Sequence, residues 1–132
     1  MTDEQGGIPA QKTILYVEDN PENSKLVDKI LTKAGYKTII VDNAFEGLGI
    51  LVSEKPDLLL LDMSLPGMDG WEAAQRIKAD PSIKHIPIIA LTAHAMRKDR
   101  ERALDAGCDA YVAKPFRSKE LLTLITSMIK GN

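Results

Sequence analysis

The sequence contains a single cysteine, Cys108, among 132 residues. No disulfide can close within the chain, and a lone thiol of this kind is expected as a small buried apolar residue. No apolar run approaches the ~20 residues that span a membrane. The N-terminal stretch up to Lys12 is polar, includes Gly6, Gly7 and Pro9, and lacks the apolar core of a secretory signal. An excess of one charge is missing too: 17 Lys and Arg face 19 Asp and Glu, a formal net charge of −2, which argues against broad attraction to a nucleic-acid backbone. Repeats, low-complexity tracts and internal linkers are absent. These absences point to a cytoplasmic protein with no membrane or direct nucleic-acid partner. The length and the 44% hydrophobic content suit one domain with one continuous core.

The stretch that organises the chain runs from Leu58 to Trp71. Four leucines are closed by Asp62, followed by Met63, Ser64, Leu65, Pro66, Gly67, Met68, Asp69 and Gly70. Leucine is no specialist strand former, so the run alone could belong to a buried helix. Pro56 before it and Pro66-Gly67 after it limit the segment to strand length. A strand buried on both faces therefore delivers one carboxylate to the rim of a sheet.

Taken in order, residues 1–12 form a frayed lead-in and the folded domain occupies 13–130. Thr13 to Val17 is a short strand followed at once by Glu18 and Asp19. Asn20 caps a helix with Pro21 at its first position. Leu26, Val27, Ile30, Leu31 and Ala34 form its inner stripe, and Gly35 closes it. Lys37 to Val41 is a second strand. Asn43 and Glu46 resemble a capping box before a helix to Glu54 whose inner face is Leu48, Leu51 and Val52. After the third strand, Leu58 to Leu61, Asp69 and Glu72 repeat the cap pattern and open a helix that stops at Asp80-Pro81. Ile86 to Leu91 is a fourth strand, followed by Thr92 and a charged helix to Gly107. Asp109 to Ala113 is a fifth strand ending at Lys114-Pro115. A last helix uses Leu121, Leu122, Ile125, Met128 and Ile129. Five strands, each followed by a helix through short connections, predict an α/β fold with a parallel sheet covered on both faces.

In such a sheet the carboxyl ends of the strands converge on one edge, where ligands bind. Those ends carry Glu18 and Asp19, Asp62, Thr92 and Lys114. Three carboxylates at close range repel one another, and no arginine nearby in the sequence neutralises them. Hard oxygen ligands in that number suit Mg²⁺. The three carboxylates, one divalent cation and Lys114 balance in charge. A phosphoryl group added to Asp62 would bring about one further negative charge, which Lys114 and the Thr92 hydroxyl could answer.

These residues, with Ser64-Leu65-Pro66-Gly67-Met68-Asp69-Gly70 after Asp62, Leu91-Thr92-Ala93, and Tyr111-Val112-Ala113-Lys114-Pro115-Phe116, resemble the receiver domain of bacterial two-component response regulators. The likeness extends from about Thr13 to Ile129. It implies a flavodoxin-like (βα)5 fold with a five-stranded parallel sheet in the order 2-1-3-4-5. It also implies a phosphorelay switch in which Asp62 takes a phosphoryl group from a histidine kinase or a histidine phosphotransfer protein. By the same resemblance Asp19 ligates Mg²⁺, Glu18 contacts it directly or through water, and Asp62 and the Ser64 backbone carbonyl complete the protein ligands. Lys114 binds a phosphoryl oxygen, the peptide to Pro115 is a candidate cis bond, and Thr92 and Tyr111 are the switch residues. The output is a downstream protein bound on the face of helix 4, strand 5 and helix 5, and a phosphorylation-dependent dimer is compatible with it. Many relatives carry two aspartates where this chain has Glu18-Asp19.

Such an acceptor catalyses only its own phosphorylation and dephosphorylation. With no output domain after Ile129 the expectation is a stand-alone receiver, the alternative being the receiver segment of a hybrid histidine kinase. A haloacid-dehalogenase-type phosphatase would need an aspartate at position 64, where this chain has Ser64. A flavodoxin-like FMN carrier would need a Ser/Thr/Gly-rich phosphate loop after strand one, where this chain has Glu18-Asp19-Asn20-Pro21. Taken singly, Thr92 reads as a common strand-end residue, Tyr111 as a half-buried aromatic, His94 as a rim histidine, and Arg97 to Arg102 as a solvated helix face bordering the switch surface.

Overall fold

The computed structural model describes residues 11–93 and 97–130. The N-terminal lead-in up to position 10 and His94 therefore lie outside the described residues. The chain alternates strictly: β1 Thr13–Val17, α1 Pro21–Lys33, β2 Lys37–Val41, α2 Ala44–Glu54, β3 Leu58–Asp62, α3 Gly70–Ala79, β4 Ile88–Thr92, α4 Arg97–Asp105, β5 Ala110–Ala113 and α5 Ser118–Lys130. All neighbouring strands pair in parallel, in the order β2-β1-β3-β4-β5, as expected.

The leucine run explains the layering. Successive side chains of a strand point to opposite faces. Leu58 and Leu60 enter one apolar cluster with Ile14, Tyr16, Val27, Leu31, Leu121 and Ile125. Leu59 and Leu61 enter the other with Leu15, Val17, Leu51, Ala74, Ile77 and Ala103. Helices α1 and α5 thus cover one face of the sheet, and α2, α3 and α4 the other. Every residue of β3 is buried, so truncating one of its leucines to alanine would cost about 2–5 kcal/mol. Cys108 is buried as well, and burial, helped by the nearby Asp109 charge, pushes its thiol up to about 12. It behaves as a small apolar side chain.

The helix starts follow the local chemistry. The Asn20 side chain accepts from the backbone N–H of Glu22 and Asn23, at 2.9 and 3.2 Å. Asn43 accepts from Glu46 N–H at 2.8 Å, and Asp69 from Glu72 N–H at 3.0 Å. At the end of α1 the cap is Ala34, with Gly35 following in the left-handed region at φ 98°. Gly35 N–H then bonds Thr32 O and Tyr36 N–H bonds Leu31 O, which completes a Schellman turn.

Two helix faces depart from the sequence expectation. In α1 the buried residues are Val27 and Leu31, one turn apart, while Leu26 is 58% exposed and Ala34 is also exposed. In α2 the inner face is Ala44, Gly47 and Leu51, and Val52 is 48% exposed. A Cβ at Gly47 would stand 2.8 Å from a methyl of Val17, so α2 approaches the sheet through its smallest residues. Strand β4 begins at Ile88 instead of Ile86. Pro87 has no N–H for the ladder, and the Ile86 N–H closes a turn onto Ile83 O.

Candidate functional site

Strand register builds the site. Val17 pairs with Leu61, so the next residues, Glu18 and Asp62, emerge side by side. Thr92 pairs with Ala113, so Lys114 emerges beside it. The ladder continues one step past the strand ends: Glu18 N–H bonds Val41 O, Met63 N–H bonds Leu91 O, and Lys114 N–H bonds Thr92 O at 2.7 Å. The functional side chains therefore leave backbone that is already hydrogen-bonded. Strand order reverses between β1 and β3, the place where ligands bind in such sheets. The start of α3 packs directly behind Asp62. A Cβ on Gly70 would lie 2.6 Å from the Met63 Cα and 3.0 Å from the Asp62 carbonyl oxygen.

Carboxylate oxygens of Glu18, Asp19 and Asp62 all lie within 4.8 Å of one another. Glu18 and Asp62 are buried and Asp19 is exposed, so the cluster opens to solvent on one side. Lys114 donates to Glu18 Oε1 at 3.0 Å, and its Nζ stands 3.7 Å from Asp62 Oδ2. The Ser64 N–H donates to Asp62 Oδ1 at 3.0 Å. Burial, together with hydrogen bonding to Glu18, raises the Asp62 carboxyl to about 6. Burial also pushes the Glu18 carboxyl up, but hydrogen bonds with Asp62, Tyr16, Lys114 and the Asn20 N–H outweigh it and hold Glu18 below its ordinary value. On acidification the pair therefore takes up its first proton on Asp62, before Glu18. Hard oxygen donors alone, in that number and at that spacing, fit Mg²⁺. No histidine or cysteine belongs to the group among the described residues.

The structure brings Glu18, Asp19, Asp62, Thr92 and Lys114 to one edge, with Thr92 fully buried at the end of β4. Tyr111 sits on β5, half-buried, in the cluster facing α4. Burial and then the Asp99 charge raise its hydroxyl above the ordinary value. The Lys114-Pro115 peptide is cis. Two contributors were not read from the sequence. One is the Tyr16 hydroxyl, which donates to Glu18 Oε1 at 2.8 Å, and the other is the Asn20 N–H, 3.2 Å from Glu18 Oε2. The signal for Tyr16 was available: a phenol in an aliphatic strand, two residues before an acid, projects from the same face as that acid.

Comparison with known proteins decides the family. The model of the response regulator receiver domain matches residues 14–126. The chain belongs to this family. It is a receiver domain of the two-component type, whose members work with histidine kinases or phosphotransfer proteins. The polar-differentiation response regulator DivK of Brucella anthropi is 39% identical over 118 residues, 89% of this chain and 96% of DivK. The receiver domain of the sensor histidine kinase PA1611 from Pseudomonas aeruginosa superposes with a TM-score of 0.85 at 37% identity. That match covers 92% of this receiver and 99% of the other chain, and its structure carries a magnesium ion coordinated in the active-site cleft. A CheY-like receiver from Methanospirillum hungatei gives a TM-score of 0.85 at 30% identity, covering 92% of this chain and 96% of that one. Among the described residues, no helix is long and apolar enough to cross a membrane.

Proposed function

We propose that this receiver, folded over residues 13–130, takes a phosphoryl group onto Asp62 from a phosphohistidine of a kinase or phosphotransfer protein. An Asp62 carboxylate oxygen attacks phosphorus, the P–N bond breaks, and an acyl phosphate forms as the histidine recovers its nitrogen lone pair. The single observation that carries this reading is the meeting of three carboxylates within 4.8 Å with the Lys114 ammonium 3.7 Å from Asp62.

Asp19, Asp62 and the Ser64 backbone carbonyl would hold Mg²⁺, with Glu18 beside them. When bound, the ion supplies charge neutralisation for the incoming phosphoryl oxygens. The protein's own groups do the rest. Lys114 moves its ammonium from Glu18 to a phosphoryl oxygen, and Thr92 offers its hydroxyl to another. Asp62 must be ionised to attack, and Lys114, 3.7 Å away, favours that form while burial and Glu18 oppose it. Positioning on hydrogen-bonded backbone accounts for most of the rate.

The output is a changed protein-binding face. Thr92 is drawn toward the phosphoryl group and Tyr111 turns inward behind it, remodelling α4, β5 and α5 for a downstream protein. To invert an equilibrium of about 1:99 the phosphoryl group must favour the active state by about 5.5 kcal/mol. The donor needs a surface beside Lys114, and an apolar groove of about 330 Å³ lined by Leu26, Val27, Ile30, Pro115 and Phe116 opens there. The receiver then acts as a cytoplasmic switch that catalyses its own phosphorylation and dephosphorylation and turns over no other substrate.

Intact mass spectrometry after incubation with acetyl phosphate, with Mg²⁺ or with EDTA, tests this reading. One phosphoryl adduct is expected with Mg²⁺, none with EDTA and none on Asp62→Asn. An adduct that persists on Asp62→Asn would overturn the assignment. So would the absence of an adduct together with an absence of measurable Mg²⁺ binding.

A further inference from the structure

Glu18 is the most heavily engaged side chain of the site. It is 3% exposed, and both of its oxygens accept hydrogen bonds from protein donors. Tyr16 and Lys114 donate to Oε1 at 2.8 and 3.0 Å, and the Asn20 N–H donates to Oε2 at 3.2 Å. Tyr16 is itself 1% exposed, in a cluster of Ile14, Val27, Leu31, Val112 and Leu121. Phenylalanine would fill that space equally well. The hydroxyl therefore serves the carboxylate and not the packing, since a buried phenol O–H requires a partner.

Glutamate is one methylene longer than aspartate, so at position 18 it can turn either toward Lys114 or onto a cation held by its neighbours. Two donors on Oε1 favour the first orientation, in which the carboxylate still lies within 4.8 Å of oxygens of Asp19 and Asp62. The Tyr16 hydroxyl is carried by a fully buried ring, whereas the Lys114 ammonium sits on a flexible stem that is 22% exposed. Lys114 leaves Glu18 when it meets a phosphoryl group, whereas Tyr16 has nowhere else to go.

We propose that Tyr16 is a positioning residue that sets the cation preference of this receiver: its hydroxyl keeps Glu18 from ligating the ion directly and leaves Asp19 and Asp62 as the carboxylate ligands. The inference rests on the metal reading given above. Mg²⁺ uses one or two carboxylates and keeps several waters, whereas Ca²⁺ takes 6–8 oxygens in flexible arrangements. A third carboxylate released onto the ion therefore helps Ca²⁺ more than Mg²⁺. Tyr16 excludes that third ligand without removing its charge.

The test is NMR titration of backbone amides with MgCl2 and with CaCl2 on four proteins: wild type, Tyr16→Phe, Glu18→Asp and the double variant. Tyr16→Phe is expected to shift the ratio of the two dissociation constants about tenfold toward Ca²⁺, the lower range seen when a partner of a metal-site residue is removed. In the Glu18→Asp background, where the shorter acid is beyond the phenol's reach, adding Tyr16→Phe should leave the ratio within about twofold of its starting value, the independence expected of groups that do not touch. General loosening of the fold would weaken both ions alike. An unchanged ratio in Tyr16→Phe, or an equal change in both backgrounds, overturns the role of Tyr16 while Mg²⁺ binding by the wild type stands. Failure of the wild type to bind Mg²⁺ saturably would instead remove the metal reading and this inference with it.

Discussion

The two rims of the sheet use the same residue types for opposite ends. At the amino-terminal rim, Asp57 accepts from the Thr13 N–H and Asp109 from the Ile88 N–H, each at 2.8 Å. Lys78 then lies 3.2 Å from Asp109 and donates to the carbonyls of Lys84 and Ile86. Each acid there has its own strand-start N–H, and all three ammonium protons of Lys78 are used. At the carboxyl-terminal rim, three carboxylates lie within 4.8 Å of one another, Lys114 reaches two of them, Glu18 at 3.0 Å and Asp62 at 3.7 Å, and the Asp62 carboxyl is raised to about 6. The lower rim closes the fold. The upper rim stores electrostatic cost that a cation and a phosphoryl group can release. The difference lies in ratio and geometry: carboxylates matched one to one with fixed donors are structural, and carboxylates in excess are chemical.

That contrast can be broken in graded ways. The largest effect belongs to Asp62→Asn, which should abolish phosphoryl acceptance altogether while raising the melting temperature of the metal-free chain at neutral pH by a few degrees. That shift corresponds to about 1–2 kcal/mol from deleting one buried negative charge. Calorimetry and phosphodonor labelling on one sample check both halves, and a drop in stability would mean that the upper rim is not strained. Next, Lys114→Ala should slow labelling by acetyl phosphate about 10²–10³-fold, the scale for removing one preorganised donor. The matching change below, Lys78→Ala, should leave the labelling rate alone at a temperature where the variant is folded. Asp109→Ala comes third. It orphans the Ile88 N–H and Lys78, and because Asp109 is partly exposed the expected loss is about 1–2 kcal/mol, read from denaturant midpoints, with acceptance intact.

The smallest effect is the pH dependence. With Asp62 raised to about 6, the folded chain holds this proton more tightly than the unfolded chain does. The group's contribution is full below the unfolded value of about 4 and is lost as pH rises through about 6. Glu18 is held below its ordinary value, so its stabilisation is present above about pH 4 and fails only in more acidic solution. In EDTA, stability should therefore decline by about 1 kcal/mol between pH 5 and pH 7.5, after discounting for solvent at the open side of the cluster. Mg²⁺ should restore it. A flat profile in wild type, matching that of Asp62→Asn, would show that the two carboxylates do not share a proton.

Most of this architecture is legible in the residue string because its signals are local. Strand β3 is announced by Leu58 to Leu61 between proline-marked ends, and the starts of α1, α2 and α3 by Asn20, Asn43 and Asp69. The candidate site follows from listing what each strand delivers at its end. What escaped the sequence depends on distance between elements. Periodicity puts Leu48, Leu51 and Val52 on the inner face of α2, yet Val52 is 48% exposed and Gly47 sits so close to Val17 that a Cβ would clash, because close approach rewards the residue with no side chain. Hydrophobicity puts Leu26 on the inner stripe of α1, but the helix is phased by Val27 and Leu31, which leaves Leu26 lining the groove beside Lys114. Tyr16 reads as a strand former whose spacing puts it on the same face as Glu18, but the bond itself depends on the Glu18 side chain folding back along the strand. Which oxygen accepts from which donor is set by rotamers, and a linear pattern does not encode them.

The bond from Lys114 to Glu18 joins residues 96 positions apart, and it has a consequence for biosynthesis. Glu18, Asp19 and Asp62 lie in the first half of the chain, and Lys114, the cationic partner of Glu18 and Asp62 among the described residues, is made much later. A nascent chain that has emerged only as far as β4 holds the three carboxylates but not Lys114. Until β5 docks on β4, such a chain is expected to accept a phosphoryl group no faster than Lys114→Ala does.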